Sequence, residues 1–451
     1  MKTGRNKWIW IAGMALLPFA GISQKADTVR TAHEFSVQQA VDYARKNNMQ
    51  VKNALLDVKI QEQTNREVTG TALPQINGSG SLVYNAKLPV SLVPAEFFGG
   101  QPGTFEQIAF GVKWGSTVGV SLNQILFDGQ VFVGLKARGT LMEFQQKNAE
   151  ITEETIKANI YKIYYQLVVS KTQIDLLDAN MELLNKLQHD TKLMYDNGFA
   201  EKLDIDKLSV QIANLQTEKT NALNQIANGY LGLKVLMGMP IKDSLSLTDS
   251  LNDEQVKAGV LEAANFDYSQ RKEYQYADLG IKLGEFDVRR YKLSKIPTLS
   301  LNGYYNKNAQ RNKFDFFGNG DWFGISAFTL NLNIPIFNGF SNNARIAKAK
   351  LSLQQSINQQ EALKINIDNE IQTATNNFNS AIASLDYQKK NMALAENVFQ
   401  QTKKKFEAGT GSQTEINQAQ TDMKTAQTNY INSLYNAIIA RVDFLKATGK
   451  L

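Results

Sequence analysis

The sequence predicts a mainly α-helical chain that also carries membrane-spanning β-strands, built from two tandem copies of one unit that cannot close a barrel alone. Three observations predict it. A heptad register repeats at one fixed offset, short strands have one apolar and one polar face, and an export leader precedes a chain with no long apolar helix.

The leader comes first. Lys2, Arg5 and Lys7 form a basic start, Trp8 to Ala20 is an apolar run, and Gly21-Ile22-Ser23 supplies small residues. This reads as a signal peptide over residues 1–23, too short for a spanning helix. The 451 residues exceed one compact core, and the chain has no cysteine, so packing or assembly must hold it without disulfides. The formal charge of +6 is inflated by the leader's cations, so the mature balance is near neutral and offers no case for nucleic acid.

The first repeat spans 24–238: a helix, strands at about 75–87 and 108–127, a long helix over 129–197 and a return helix over 200–238. Apolar steps of 4 and 3 run through Ile156, Ile160, Ile163 and Leu167 to Leu177, Met181 and Leu184. Residues 239–259, with "MGMPIKDSLSLTDSLND", carry turn and short-strand signals and read as a linker. The second repeat spans 260–451: a helix, strands at about 298–307 and 325–337, a long helix over 339–408 and a return helix over 412–448. Moving 211 positions along carries Ile156 to Ile367, Gly198 to Gly409, Asp204 to Glu415 and Gly238 to Gly449. One register held over so many positions marks duplication.

Pro74 and Pro297 each open a strand, where a missing N–H is tolerated. "LNQILFDGQ" and "LNIPIFNGF" are twin strand-to-helix junctions, centred on Phe127 and Gly129 and on Phe337 and Gly339. Phe110, Val112, Trp114, Val118, Val120 and Leu122 share one parity, with Ser116 the exception; Gly111, Lys113, Thr117, Ser121 and Asn123 share the other. A half-buried soluble sheet gives the same alternation. Three features favour lipid: strands long enough to span, the aromatics Tyr84, Phe127, Tyr304, Trp322, Phe323 and Phe337 near strand ends, and one long loop per strand pair. Four strands fall short of the roughly eight that the smallest membrane barrels need, so each copy must donate part of a shared barrel.

The turns "YDNGFAEKLD" and "FEAGTGSQTE" place Tyr195, Gly198, Phe406 and Gly409 between the long and return helices, with Asp204 and Glu415 in the first return turn. Acids there complement the helix dipole; alternatively they line a constriction, with Asp206 as a weaker candidate on another face. His33 and His189 are the only histidines and lack clustered partners, so no catalytic or metal site is expected, and no cofactor.

With tandem halves, "LFDG" and "IFNG" junctions and duplicated helix turns, the mature chain resembles the TolC-type outer-membrane efflux protein family. The resemblance implies a homotrimer whose twelve-stranded barrel crosses the outer membrane among its lipids. Below it a helical barrel would reach across the periplasm. It implies an exit channel of a tripartite efflux pump or type I secretion system, passing small molecules or peptides. It also implies docking of a periplasmic adaptor and an inner-membrane transporter at the helix turns, and an entrance narrowed by Asp204 and Glu415. Relatives carry a proline before "LF" where this chain has Ile125, and some carry a tyrosine and a basic residue where it has Phe406 and Gly411. The alternatives are a periplasmic coiled-coil adaptor, which predicts one hairpin rather than two, and a structural surface protein, which predicts strands without a lipid-facing parity.

Overall fold

The computed structural model describes residues 32–250, 256, 266–318 and 320–451, so the leader expected over 1–23 and most of the linker segment 251–259 lie outside the described residues. β1 (Ala32–Phe35) leads through a Ser36–Gln39 capping box into α1 (Val37–Asn47), and Asn48 then starts α2 (Met49–Thr71). β2 (Gln75–Tyr84) follows, then a loop hairpin of β3 (Val90–Pro94) and β4 (Phe105–Ala109), then β5 (Trp114–Phe127). Asp128 caps α3 (Gly129–Asp196) by accepting from the Gln130 N–H, and α4 (Lys202–Met237) returns. β6 (Ser244–Leu247) lies parallel to β1, tying the segment between the halves back onto the chain's start.

The second half holds α5 (Lys272–Leu293), β7 (Thr298–Arg311), β8 (Phe323–Asn333), α6 (Ser341–Glu407) and α7 (Gln413–Ala447). At ~1.5 Å per residue, the 68 residues of α3 and 67 of α6 each extend about 100 Å. Heptad positions carry the packing: Phe378, Leu385, Phe399 and Phe406 are buried along α6, and Ile160, Leu167, Leu177 and Leu184 along α3. Near the strands the helices lie in the order α2, α3, α5, α6; at the far end the order is α4, α3, α7, α6. α3 and α6 thus run through two stacked layers of four. Among the described residues, no helix is long and apolar enough to cross a membrane.

The four-stranded antiparallel sheet has the order β2-β5-β7-β8 and carries both repeats' strands. Several boundaries differ from the sequence reading. The strand expected over 108–127 is two strands, because Gly111 at φ 116° turns the chain and leaves Phe110 and Val112 outside β5. β7 runs four residues beyond 307, which puts Tyr304 in mid-strand rather than near an end. β8 stops at Asn333, not 337. Its partner β7 begins at Thr298, and neither Pro297 nor Pro335 has an N–H to extend the ladder.

The two strand-to-helix junctions therefore differ. In the first, β5 passes through Asp128 directly into α3, after a bulge between Ile125 and Phe127. In the second, Ile334 to Asn338 carry no strand pairing, Gly339 adopts φ 60° and Phe340 φ 62°, and α6 begins only at Ser341. Phe340 is the one non-glycine residue at positive φ among the described residues. Phe337 lies outside the strand, 76% exposed, edge-on to Phe340 at 5.5 Å. Pro74 and Pro297 immediately precede β2 and β7.

Candidate functional site

Three features carry the functional argument: the sheet, the two helix turns at the far end, and the joints between repeats. In the sheet, Ile76, Leu122, Gly303 and Phe328 lie level on one face, as do Tyr84, Trp114 and Arg311. Leu299, Leu301, Leu330 and Leu332 continue that face toward the helices. On the other face Gln75, Asn123, Asn302 and Thr329 are level, as are Ser81, Thr117 and Asn308. The apolar face is exposed, with Ile76 at 72% and Phe328 at 78%. No described element covers it, so the sheet is no lid on a soluble core. β2 and β8 have one unpaired edge each, and in lipid an open edge costs several kcal/mol per unpaired group, roughly.

At the first turn, Gly198 at φ 81° lets its N–H reach the Tyr195 carbonyl at 2.9 Å and the Phe199 N–H reach that of Met194 at 2.8 Å. At the second, Gly409 at φ 74° does the same with Phe406 at 3.0 Å, and Thr410 bonds Lys405 at 3.0 Å. The structure separates residues that the sequence equates. Tyr195 is exposed, whereas Phe406 is buried among Leu187, Phe399 and Ile416. Phe406 is thus part of the tip's core rather than of a docking surface.

The acids differ likewise. Glu415 completes a capping box: its carboxylate accepts from the Ser412 N–H at 3.3 Å and its own N–H bonds the Ser412 hydroxyl at 3.2 Å. Asp204, half-buried, pairs with Lys207 at 3.4 Å, and Asp206 is exposed. Phe199, 84% exposed, and Leu203 stand beside Asp204 as apolar surface that the sequence reading passed over.

The joints were also missed. Asn48 Nδ2 donates to the Leu236 carbonyl at 2.6 Å while its Oδ1 caps α2. Arg271, 223 positions on, donates through Nη1 to the Ala447 carbonyl at 2.8 Å, and Ala447 follows Leu236 by the repeat's own 211. Both side chains are at least 95% buried, at 5% and 3% exposure. Each satisfies a carbonyl left open at the end of a return helix. The spacing between Pro74 and Pro297 relates the two positions, but an asparagine and an arginine share no residue type to mark them.

Among the described residues no cluster of His, Asp and Glu has metal-binding form. Burial pushes the Tyr164 hydroxyl up to about 12; it donates to the Phe35 carbonyl at 2.8 Å and accepts from the Asp249 N–H at 3.2 Å, a structural tie of the β1–β6 belt.

Comparison with known proteins agrees with this geometry. Residues 280–450 match the outer membrane efflux protein family. The chain is 19% identical over 454 residues to the outer membrane protein TolC of Salmonella enteritidis, covering 98% of this chain and 85% of that protein. It is 20% identical over 415 residues to the outer membrane efflux protein BepC of Brucella suis, covering 90% and 84%. The crystal structure of CusC superimposes with a TM-score of 0.76 at 16% identity, covering 95% of each chain. The fold is thus the expected one, mainly α with a four-stranded β-sheet. The chain is TolC-like: it resembles outer membrane efflux proteins over nearly its whole length, and the family model itself matches its second half.

Proposed function

We propose that three copies form the outer-membrane exit channel of a tripartite efflux pump or type I secretion system, non-enzymatic and free of cofactor. One observation carries the reading: a sheet with two open edges and faces of opposite polarity stands on helices about 100 Å long. Joining β2 of one copy to β8 of the next satisfies both edges and closes twelve strands. Outer-membrane lipid then faces Ile76, Val118, Leu301 and Leu330. The face of Asn77, Ser81, Asn302 and Asn331 lines the bore. Two repeats, 24–238 and 260–451, joined through 239–259, supply each protomer's share.

The helix turns form the periplasmic end. Tyr195, Phe199, Gly198 and Gly409 offer the surface for a periplasmic adaptor, which connects the channel to an inner-membrane transporter. Asp204 and Asp206 supply negative charge at the entrance. Glu415 adds to it while capping α7, so its neutralisation is best made as Glu415→Gln, which keeps the box. The cargo is a small molecule or peptide selected by the transporter.

Planar-bilayer recording of the purified chain tests this: trimers should conduct in uniform unitary steps, and heating should convert the trimer to monomer on gels. A soluble, non-conducting monomer would contradict it. The Asp204→Asn, Glu415→Gln double variant should shift the reversal potential in a salt gradient toward lower cation selectivity. An unchanged potential removes these acids from the entrance.

A further inference from the structure

Both loops at the end of the sheet away from the helices hold apolar side chains out in water on fixed backbones. The loop between β2 and β5 is a locked hairpin. At its base the Asn85 N–H donates to the Lys113 carbonyl at 2.8 Å, and its Nδ2 to the Val112 carbonyl at 3.0 Å. β3 and β4 then pair from Val90 opposite Ala109 to Pro94 opposite Phe105. A 3-10 turn over Ala95–Phe98 closes the tip, where the Gly100 N–H reaches the Ala95 carbonyl at 2.8 Å. The Glu96 carboxylate accepts from the Gly103 N–H at 3.1 Å. The register puts Val90, Leu92, Pro94, Phe105 and Ala109 on one face, with Gln107 its single polar residue. Val90, Leu92 and Phe105 are exposed there, as are Phe97 and Phe98 at the tip.

The loop between β7 and β8 is anchored by aromatic packing. Phe316 is buried, with the Trp322 ring at 6.3 Å and the Arg311 guanidinium over its own ring at 5.4 Å. Phe314 meets Trp114 edge-on at 5.1 Å. The next residue along from Phe316, Phe317, is left 94% exposed. Within one protomer, then, both the hairpin face and Phe317 stay uncovered. Ordered apolar surface of this kind marks an interaction site. Barrel closure says with what. The hairpin rises from the outer end of β2 at Tyr84, and the second loop enters β8 at its outer end, Phe323. β2 and β8 are opposite edges of one protomer's sheet. Pairing β2 with β8 of the next copy therefore sets the roots of these two loops one strand spacing apart, about 4.8 Å.

We propose that the Leu92–Phe105 face of each hairpin packs on Phe317 of the next copy, clasping neighbouring protomers together above the outer membrane. The partner is a second copy of this chain, and the inference rests on the β2–β8 closure of the proposed channel. A clasp accounts for the stiffening of both loops ahead of any contact: surfaces already ordered lose less conformational freedom when they associate. It also gives two separate apolar surfaces a single place to be buried, across the same seam that the strand edges close.

The rate at which heat dissociates purified trimers, followed on gels, tests the contact. The pair Leu92→Ser, Phe105→Ser should quicken dissociation about tenfold, and Phe317→Ser about tenfold as well. Because the two sides bury each other, combining all three should add little; independent sites would multiply to about a hundredfold. A multiplied effect, as expected if each surface lay separately in outer-leaflet lipid, overturns the clasp. So does dissociation at the parent rate in either variant. A second measurement needs no heating: Phe317→Cys, combined in turn with Val90→Cys, Leu92→Cys or Phe105→Cys, should oxidise to a ladder ending at the covalent trimer. Products confined to monomer in all three overturn it. In each of those failures the trimer still forms and conducts. Absence of any trimer in the parent chain would instead overturn the channel reading, and the clasp with it.

Discussion

The joint at Asn48 and the joint at Arg271 occupy the same place in two copies of one unit, yet they are held by different chemistry. Both close the end of a return helix, and both admit a glycine at φ 69° against the backbone, Gly238 in one and Gly449 in the other. Asn48 does this with neutral hydrogen bonds inside one pair of elements, α2 and α4. Arg271 adds ion pairs to Glu273 and to Glu370 of α6, each at 3.0 Å, so its joint gathers α5, α6 and α7. Duplication has kept the backbone path and the carbonyl to be satisfied, while the group that satisfies it has diverged. The first joint is a local cap, and the second is a hub.

That contrast is breakable. The largest effect should come from Arg271→Ala, which leaves Glu273 partly buried without its partner and opens the Ala447 carbonyl; a loss of about 3–5 kcal/mol is expected in denaturant melts. A loss below that of Asn48→Ala would contradict the hub. Gly238→Ala comes next, at about 2–3 kcal/mol, since a Cβ there would meet the Asn47 carbonyl oxygen at 2.3 Å in a left-handed backbone. Gly449→Ala should cost less, because its nearest contact, the Gln270 oxygen, is at 3.0 Å. Asn48→Ala should cost about 1–2 kcal/mol, the usual size of a lost cap and one open carbonyl.

Acid gives the smallest and most selective effect. Burial alone would raise the Glu273 pKa, but hydrogen bonding and charge from Arg271 outweigh it and hold it below the usual carboxylate range. A lowered carboxylate pKa stabilises the fold above its unfolded value and loses that stabilisation as pH falls through the folded value. Hydrogen-exchange protection factors, corrected for the intrinsic rate, should therefore fall around α5 before they fall around α2 as the pH is lowered through the carboxylate range. Equal response at both joints would remove the distinction.

Much of the fold was legible because it rests on periodicity. Heptads set α3 and α6, alternation set the sheet faces, and the duplicated glycines Gly198 and Gly409 set the turns. What was not legible depends on partners rather than on pattern. β8 ends at Asn333 because its partner β7 begins at Thr298, and within "LNIPIFNGF" only Pro335, which has no N–H to extend the ladder, marks the stop. The break at Gly111 is a single φ between Phe110 and Val112, where the alternation itself continues. Phe406 and Tyr195 share a sequence position, but only Phe406 packs against Ile416 of the return helix. Asn48 and Arg271 were invisible because a repeat is read by residue type, and these two share only a location.

The central claim is that β2 of one protomer pairs with β8 of the next to close a barrel of three copies. Because the chain has no cysteine, engineered pairs report without background. Ser79→Cys on β2, combined in turn with single cysteines along 325–331 of β8, should give at one register an oxidised ladder that ends at the covalent trimer. A ladder that stops at dimer or runs past trimer, or monomer at every register, would contradict the account.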